Sequence, residues 1–157
     1  MGLDMYLYAR KEIFVGRYID ESKGTIKLEL PEELKDFEDT WGHVLVRKTD
    51  YEIAYWRKAK AIHKWFVENC AEGIDNCREM WVGIDKLRDL RNLCNRVLLN
   101  NNLAEKLLPT ESEFFFGGTE YDEDYFEDIE YTKQVCDKAI KLLEEDDFYS
   151  IHYVASW

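Results

Sequence analysis

The opening segment constrains the fold most, because its apolar side chains occupy every second position. In GLDMYLY, Leu3, Met5 and Leu7 alternate with acidic and tyrosine side chains. A period of two is typical of a β-strand with one buried face. The segment therefore predicts that a strand opens the domain and that a sheet forms around it.

Three further stretches have strand character. EIFVGRYI and TIKLEL are separated by DESKG, whose acidic, serine and glycine residues favour a turn, so the two stretches predict a β-hairpin. GHVLVRK is predicted as a short strand, and FYSIHYVASW as the strand that closes the chain. These stretches supply partners for the opening strand.

A first helix is predicted between Thr49 and Gly73. Thr49 and Glu52 have the spacing of a capping box, and Gly73 is a typical helix stop. At about 100° per residue, the residues that project toward the core form one stripe. These residues are Tyr51, Tyr55, Ala59, Ile62, Phe66 and Cys70.

Two more helices complete the expected fold. Leu87, Leu90 and Cys94 recur at helical spacing after Asp85, and a long periodic stretch runs from residue 121 to residue 145. A short helical turn is predicted in LAEKLLP. The order of elements predicts one α+β domain over residues 1–157, with an antiparallel or mixed sheet packed by about three helices.

Composition excludes several classes of function. The chain has 33 acidic against 21 basic residues and a net charge of -12, which argues against direct nucleic-acid binding. It has no apolar run of about 18 residues and no secretory signal, so a cytoplasmic location is expected. The four cysteines form no CxxC pair and predict free thiols, with no metal and no cofactor.

The strongest candidate site is the aromatic and basic run at residues 55–66. Aromatic rings offer stacking faces, and basic side chains donate to phosphate or carboxylate groups. The alternative is a core boundary with a solvated basic face. The predicted ligand residues are Tyr55, Trp56, Arg57, Lys58, Lys60 and His63, with Phe115 and Phe116 closing the pocket.

A second candidate surface is acidic. Carboxylates in the first turns of a helix are favoured by its dipole, and the segment lacks the ligand order of an EF-hand. A functional interpretation is mimicry of nucleic acid toward a basic protein. The residues predicted to contact such a partner are Glu120, Asp122, Glu123, Asp124 and Asp128.

Several phrases together carry a resemblance to a known family. The opening MGLDMYLY, the motif YWRKAKAIHKWF, the segment LLPTESEFFFGGTEYDEDYF and the terminal SW occur in this order. They resemble a family of small uncharacterised bacteriophage and prophage proteins, and the resemblance spans nearly the whole chain. The family motif reads closer to YWRKAN-IH-WF, so Lys60 stands here where the pattern has asparagine.

The resemblance implies an accessory protein, and such proteins without enzyme motifs commonly act by binding. The leading expectation is a non-catalytic protein that binds an anionic, nucleotide-like small molecule and so counters a host defence signal. One alternative is an acidic inhibitor of a basic host protein. Another is a small enzyme that acts on a nucleotide or phosphoester, with His63 as general base and Asp4 or Glu52 as the residue that orients it. A homo-oligomer is left open.

Overall fold

The structure is a computed structural model that describes residues 2–12, 32, 48–110 and 121–157. The predicted hairpin and the short strand before residue 48 lie outside these residues. The described elements, in chain order, are β1 (Asp4–Glu12), β2 (Lys48–Arg57), α1 (Lys60–Cys70), β3 (Met80–Val82), α2 (Ile84–Leu99), a 3-10 turn (Asn101–Leu103), α3 (Ala104–Leu107), α4 (Glu123–Glu145) and β4 (Tyr149–Ser156).

The four described strands form one antiparallel sheet in the order β2-β1-β4-β3. This arrangement confirms the predicted α+β fold. Of the two predicted forms of the sheet, antiparallel or mixed, the described strands adopt the antiparallel one. As predicted, Met5 and Leu7 of β1 are buried, and they join Ile151 and Tyr153 of β4 in one core with the helices. We call this side of the sheet the helix-covered face.

The opposite side of the sheet carries tyrosine, charged and histidine side chains, and we call it the polar face. Its rows follow from the register, because directly paired residues of antiparallel strands share a face. Tyr8 lies between Glu52 and His152, and Arg10 lies between Asp50 and Ser150. Rows of polar and ionisable side chains therefore cross the polar face.

A β-bulge lies between β1 and β2. Leu7 pairs with Ala54, whereas the next residue, Tyr8, pairs with Glu52, so Ile53 is an extra residue in β2. An extra residue reverses the alternation of side chains beyond it. Ala54 therefore lies on the helix-covered face, and Glu52 lies on the polar face.

The predicted helix from Thr49 is wrong over its first half. Residues 48–57 form β2, and α1 begins only at Lys60, after a tight turn in which Lys58 has a φ of 62°. Aromatic and β-branched side chains favour a strand here, and pairing with β1 satisfies its backbone. Tyr51 and Tyr55, predicted in the core, are 40% and 42% exposed.

The second half of that prediction is confirmed. Ile62 and Phe66 of α1 are buried, although Trp65, which was expected at a flank, is buried as well. The chain turns at Gly73, which has a φ of 79° and donates its backbone N–H to the Val67 carbonyl oxygen at 2.9 Å. Glycine adopts this left-handed conformation without steric cost.

The later elements agree with the predicted pattern. α2 buries Leu87, Leu90 and Cys94, α4 spans nearly the predicted range, and β4 closes the chain. β3 was not predicted, because three residues are too short to show a period. None of the described helices is both long and apolar enough to span a membrane.

Candidate functional site

The structure divides the predicted aromatic and basic site between two faces of the sheet. Trp56 lies in the core with 2% of its surface exposed. Its ring packs edge-on against Tyr131 at 5.6 Å, and its N–H donates to the Thr132 hydroxyl oxygen at 3.0 Å. The expectation that Trp56 offers a stacking face is therefore wrong, because this position alternates onto the helix-covered face.

Tyr55 and Arg57 flank Trp56 and lie on the polar face. The Tyr55 hydroxyl donates to Asp4 Oδ1 at 2.5 Å, and this hydrogen bond raises the pKa of the Tyr55 phenol. Arg57 is 67% exposed, and its Nε lies 4.0 Å from the same carboxylate oxygen. Asp4 therefore positions a ring and attracts a cation at one end of the sheet.

Three tyrosines form a line that leads to this cation. The Tyr55 and Tyr6 ring centroids are 5.2 Å apart, and those of Tyr6 and Tyr8 are 6.2 Å apart. We call Tyr8, Tyr6 and Tyr55 the tyrosine row. Lys58 is exposed and follows Arg57 directly, with its backbone N–H bonded to the Leu3 carbonyl oxygen at 2.8 Å.

The remaining predicted residues lie elsewhere. Lys60 is the first residue of α1 and is half-buried. His63 belongs to α1 and points toward β4 rather than toward the tyrosine row. Phe115, Phe116 and Glu120 lie outside the described residues. Of the predicted set, Tyr55, Arg57 and Lys58 therefore remain together.

His63 is the centre of a carboxylate, histidine and hydroxyl chain. Its Nδ1 lies 2.7 Å from the Tyr153 hydroxyl oxygen, and its Nε2 lies 3.0 Å from Asp75 Oδ2. Tyr153 is fully buried and stacks on Phe66 at 4.1 Å, and burial raises the pKa of its phenol. We call Asp75, His63 and Tyr153 the His63 chain. Asp75, rather than the predicted Asp4 or Glu52, is the carboxylate partner of His63.

A second chain of the same kind crosses the polar face, and sequence reasoning missed it. His152 Nε2 lies 2.8 Å from the Ser150 hydroxyl oxygen, and His152 Nδ1 lies 3.0 Å from Glu79 Oε1. We call Glu79, His152 and Ser150 the His152 chain. The letters SIH on a predicted strand place Ser150 and His152 on one face, but no pattern indicates that Glu79 joins them.

Arg10 ties the His152 chain to the rest of the sheet. Its guanidinium contacts Glu79 at 2.7 and 2.8 Å and Asp50 at 2.7 and 2.9 Å. These charge-assisted hydrogen bonds lower the pKa of both carboxyl groups. Burial, and then the nearby Arg10 charge, lower the pKa of His152. The imidazole is therefore held neutral between an ionised carboxylate and a hydroxyl.

The acidic residues predicted to contact a partner begin α4. Asp122 caps the helix by accepting from the Tyr125 N–H at 3.0 Å, and Glu123 and Asp124 are exposed in the first turn. Asp128 is half-buried, and burial together with its acidic neighbours raises its pKa to about 6. Several carboxylates therefore lie close together in the first turns of α4.

Known proteins add no information to this geometry. The chain matches no protein-family model, no curated protein and no solved structure. In the part of the chain that the structure describes, no cluster of three or more His, Cys, Asp or Glu side chains is arranged to hold a metal ion. The arrangement of the side chains is therefore the evidence that bears on function.

Proposed function

We propose that this chain is a binding protein for an anionic, nucleotide-like ligand, and that the ligand lies on the tyrosine row with its phosphate at Arg57 and Lys58. The observation that carries the proposal is the exposed Arg57 cation at the end of a line of aromatic rings. Arg57 is 67% exposed beside a carboxylate 4.0 Å away, whereas Arg10 is 13% exposed and contacts two carboxylates. Arg57 therefore has donors available to a phosphate.

The chemistry of the row fits each part of a nucleotide. Tyrosine rings stack on nucleobases without strong sequence preference, at about 1–3 kcal/mol per base. Guanidinium and ammonium groups donate to phosphate oxygens. Asp4 accepts from Tyr55 through Oδ1, and its second oxygen is suited to accept from a ribose hydroxyl.

The resemblance to phage and prophage proteins extends the proposal. An accessory protein that captures a nucleotide removes it from the host, and a nucleotide that signals infection is a suitable target. This step is an analogy between families rather than a geometric argument. Under this proposal the protein acts in the host cytoplasm and needs no catalysis.

Titration calorimetry of the full chain with mono-, di- and cyclic nucleotides at about 1 mM tests the proposal. We expect binding of at least one nucleotide, and Arg57→Ala should weaken it by about tenfold or more, because a charge-assisted hydrogen bond to phosphate is lost. Arg91→Ala is the matched control, since Arg91 pairs with Asp137 at the α2 and α4 contact. Failure of every nucleotide to bind, or equal weakening by the two variants, would overturn the assignment.

A second candidate function is contact with a basic protein through the acidic start of α4. The observation that favours it is the exposed carboxylates of Asp122, Glu123 and Asp124 at the start of α4. Burial chiefly, and then the charges of its acidic neighbours, raise the pKa of Asp128 to about 6. Binding should weaken steeply with salt. Reversing Asp122 and Asp124 to lysine should abolish retention of a basic protein from bacterial lysate, whereas reversing the exposed Asp89 and Glu105 should not.

A further inference from the structure

We propose that the His152 chain is a catalytic site that hydrolyses carboxylic esters, with Ser150 as nucleophile, His152 as general base and Glu79 as the residue that positions His152. This site lies beyond the tyrosine row, at the Arg10 end of the polar face. It does not rest on nucleotide binding at Arg57, and either proposal can fail alone.

The order of groups is the first argument. A serine nucleophile needs a base within about 2.6–3.2 Å, and that base needs a third group on its other nitrogen. Ser150, His152 and Glu79 meet both requirements, at 2.8 Å and 3.0 Å. If Nδ1 carries the proton and donates to Glu79, Nε2 is left to accept from the Ser150 hydroxyl.

The surrounding charges are the second argument. The groups that face His152 are Arg10 and Tyr8 of β1, Asp50 of β2 and Glu79 before β3. Arg10 holds both Glu79 oxygens, which fixes the carboxylate that orients the imidazole. Arg10 is also the register partner of Ser150, and its charge lies close enough to His152 to lower the pKa of the imidazole.

Exposed apolar surface beside the His152 chain indicates the substrate class. Trp81 is the register partner of His152 and is 66% exposed on the polar face. A broad indole paired with the His152 position favours an ester with an apolar acyl or alcohol group. Ser150 is half-buried, so a small ester is the appropriate size.

The reaction balances with water as the only co-reactant. The Ser150 oxygen bonds to the ester carbonyl carbon while its proton passes to His152 Nε2. The bond from that carbon to the alcohol oxygen then breaks, and the alcohol leaves with the proton from His152. Water next attacks the acyl group through the same base, which releases the carboxylic acid and returns the proton to Ser150.

The test is covalent labelling of the full chain with a fluorophosphonate, followed by intact mass spectrometry and peptide mapping. Ser150 should form a bond to phosphorus while fluoride leaves with the serine proton. We expect one adduct on the peptide that contains Ser150, its loss in Ser150→Ala and its retention in Ser156→Ala, which changes another serine of β4. His152→Ala should slow labelling by about 100-fold.

Hydrolysis of p-nitrophenyl butyrate provides the second readout. The rate should rise with pH as His152 loses its proton and should vanish in Ser150→Ala. Glu79→Gln should lower the rate and move the midpoint of the pH profile to lower pH, whereas Glu79→Asp should restore part of the rate. No adduct in the wild-type chain, an adduct elsewhere, or equal labelling of Ser150→Ala would overturn the proposal.

Discussion

The His63 chain and the His152 chain contain the same three kinds of group but lie on opposite faces of one sheet. In the His63 chain the hydroxyl belongs to Tyr153, which is fully buried and stacked on Phe66. In the His152 chain it belongs to Ser150, which is half-buried on the polar face. The hydrogen-bond distances are nearly equal, at 2.7 Å and 2.8 Å.

The two chains differ in the burial of the residue that carries the hydroxyl. We expect this burial to decide whether the histidine stabilises the fold or takes part in a reaction. The Tyr153 side chain lies in the core, so its hydrogen bond to His63 satisfies a buried polar group and stabilises the fold. The hydroxyl of Ser150 lies on the polar face and belongs to a residue that is only half-buried. The first chain should therefore matter for stability, and the second for reactivity.

The largest expected effect separates the two hydroxyl residues. Tyr153→Ala should lower the free energy of unfolding by about 3–5 kcal/mol, because it leaves a cavity beside Phe66 and removes the partner of His63. Ser150→Ala should cost less than about 1 kcal/mol, because it removes one hydrogen bond near the surface. Urea unfolding measures both, and a similar loss in the two variants would break the comparison.

The next effect concerns Arg10, the cation that contacts the His152 chain. Arg10→Met should cost about 1.5–3 kcal/mol, because it removes charge-assisted hydrogen bonds from a guanidinium that is 13% exposed. Arg91→Met is the control. Its pair with Asp137 is 45% and 46% exposed, so its loss should cost at most about 1 kcal/mol. Equal losses would mean that the Arg10 network adds no stability.

A smaller effect should appear when the pH changes. Burial lowers the pKa of folded His152 below the ordinary value of 6.5, so the unfolded chain binds this proton more tightly. The contribution of His152 to stability is therefore present above that value and lost as the pH falls. Between about pH 7.5 and about pH 5.5, His152→Gln should lose less stability than the wild type. Equal losses would contradict the lowered pKa, and proton NMR titration of His152 measures it directly.

The smallest effect concerns the carboxylate of the His63 chain. Asp75 is 33% exposed, and Asp75→Asn keeps an oxygen that can accept from His63 Nε2. Its cost should stay below about 1 kcal/mol, because the hydrogen bond is kept and the exchanged side chain is partly exposed to water. Thermal unfolding at neutral pH measures it. A loss of stability as large as that of Tyr153→Ala would show that all three residues of the His63 chain, rather than Tyr153 alone, stabilise the fold.

Regular periodicity explains which elements could be predicted. Apolar residues alternate strictly over Leu3, Met5 and Leu7 at the start of β1. They repeat at helical spacing in α2 and α4, so the type and place of these three elements could be predicted. The strand β2 could not be predicted in this way, because the extra Ile53 breaks its alternation and its aromatic residues also fit a helical stripe. The Thr49 and Glu52 spacing then favoured the wrong element.

The candidate site was predictable only where neighbours in the chain are neighbours in space. Tyr55, Arg57 and Lys58 adjoin in sequence, and they remain together in the structure. Glu79 joins His152 through the pairing of β3 with β4, and Arg10 joins them through β1. Such contacts depend on strand order, which local patterns do not contain.

The bulge at Ile53 gives β2 one residue more than its pairing with β1 requires. Deleting Ile53 would leave Leu7 paired with Ala54, Tyr8 with Glu52 and Arg10 with Asp50, because these pairings already pass over the extra residue. Residues 48–52 would keep their faces, and β2 would lose only the local bend that a bulge adds. The contact between Arg10 and Asp50 therefore tolerates a shorter β2 at this one position.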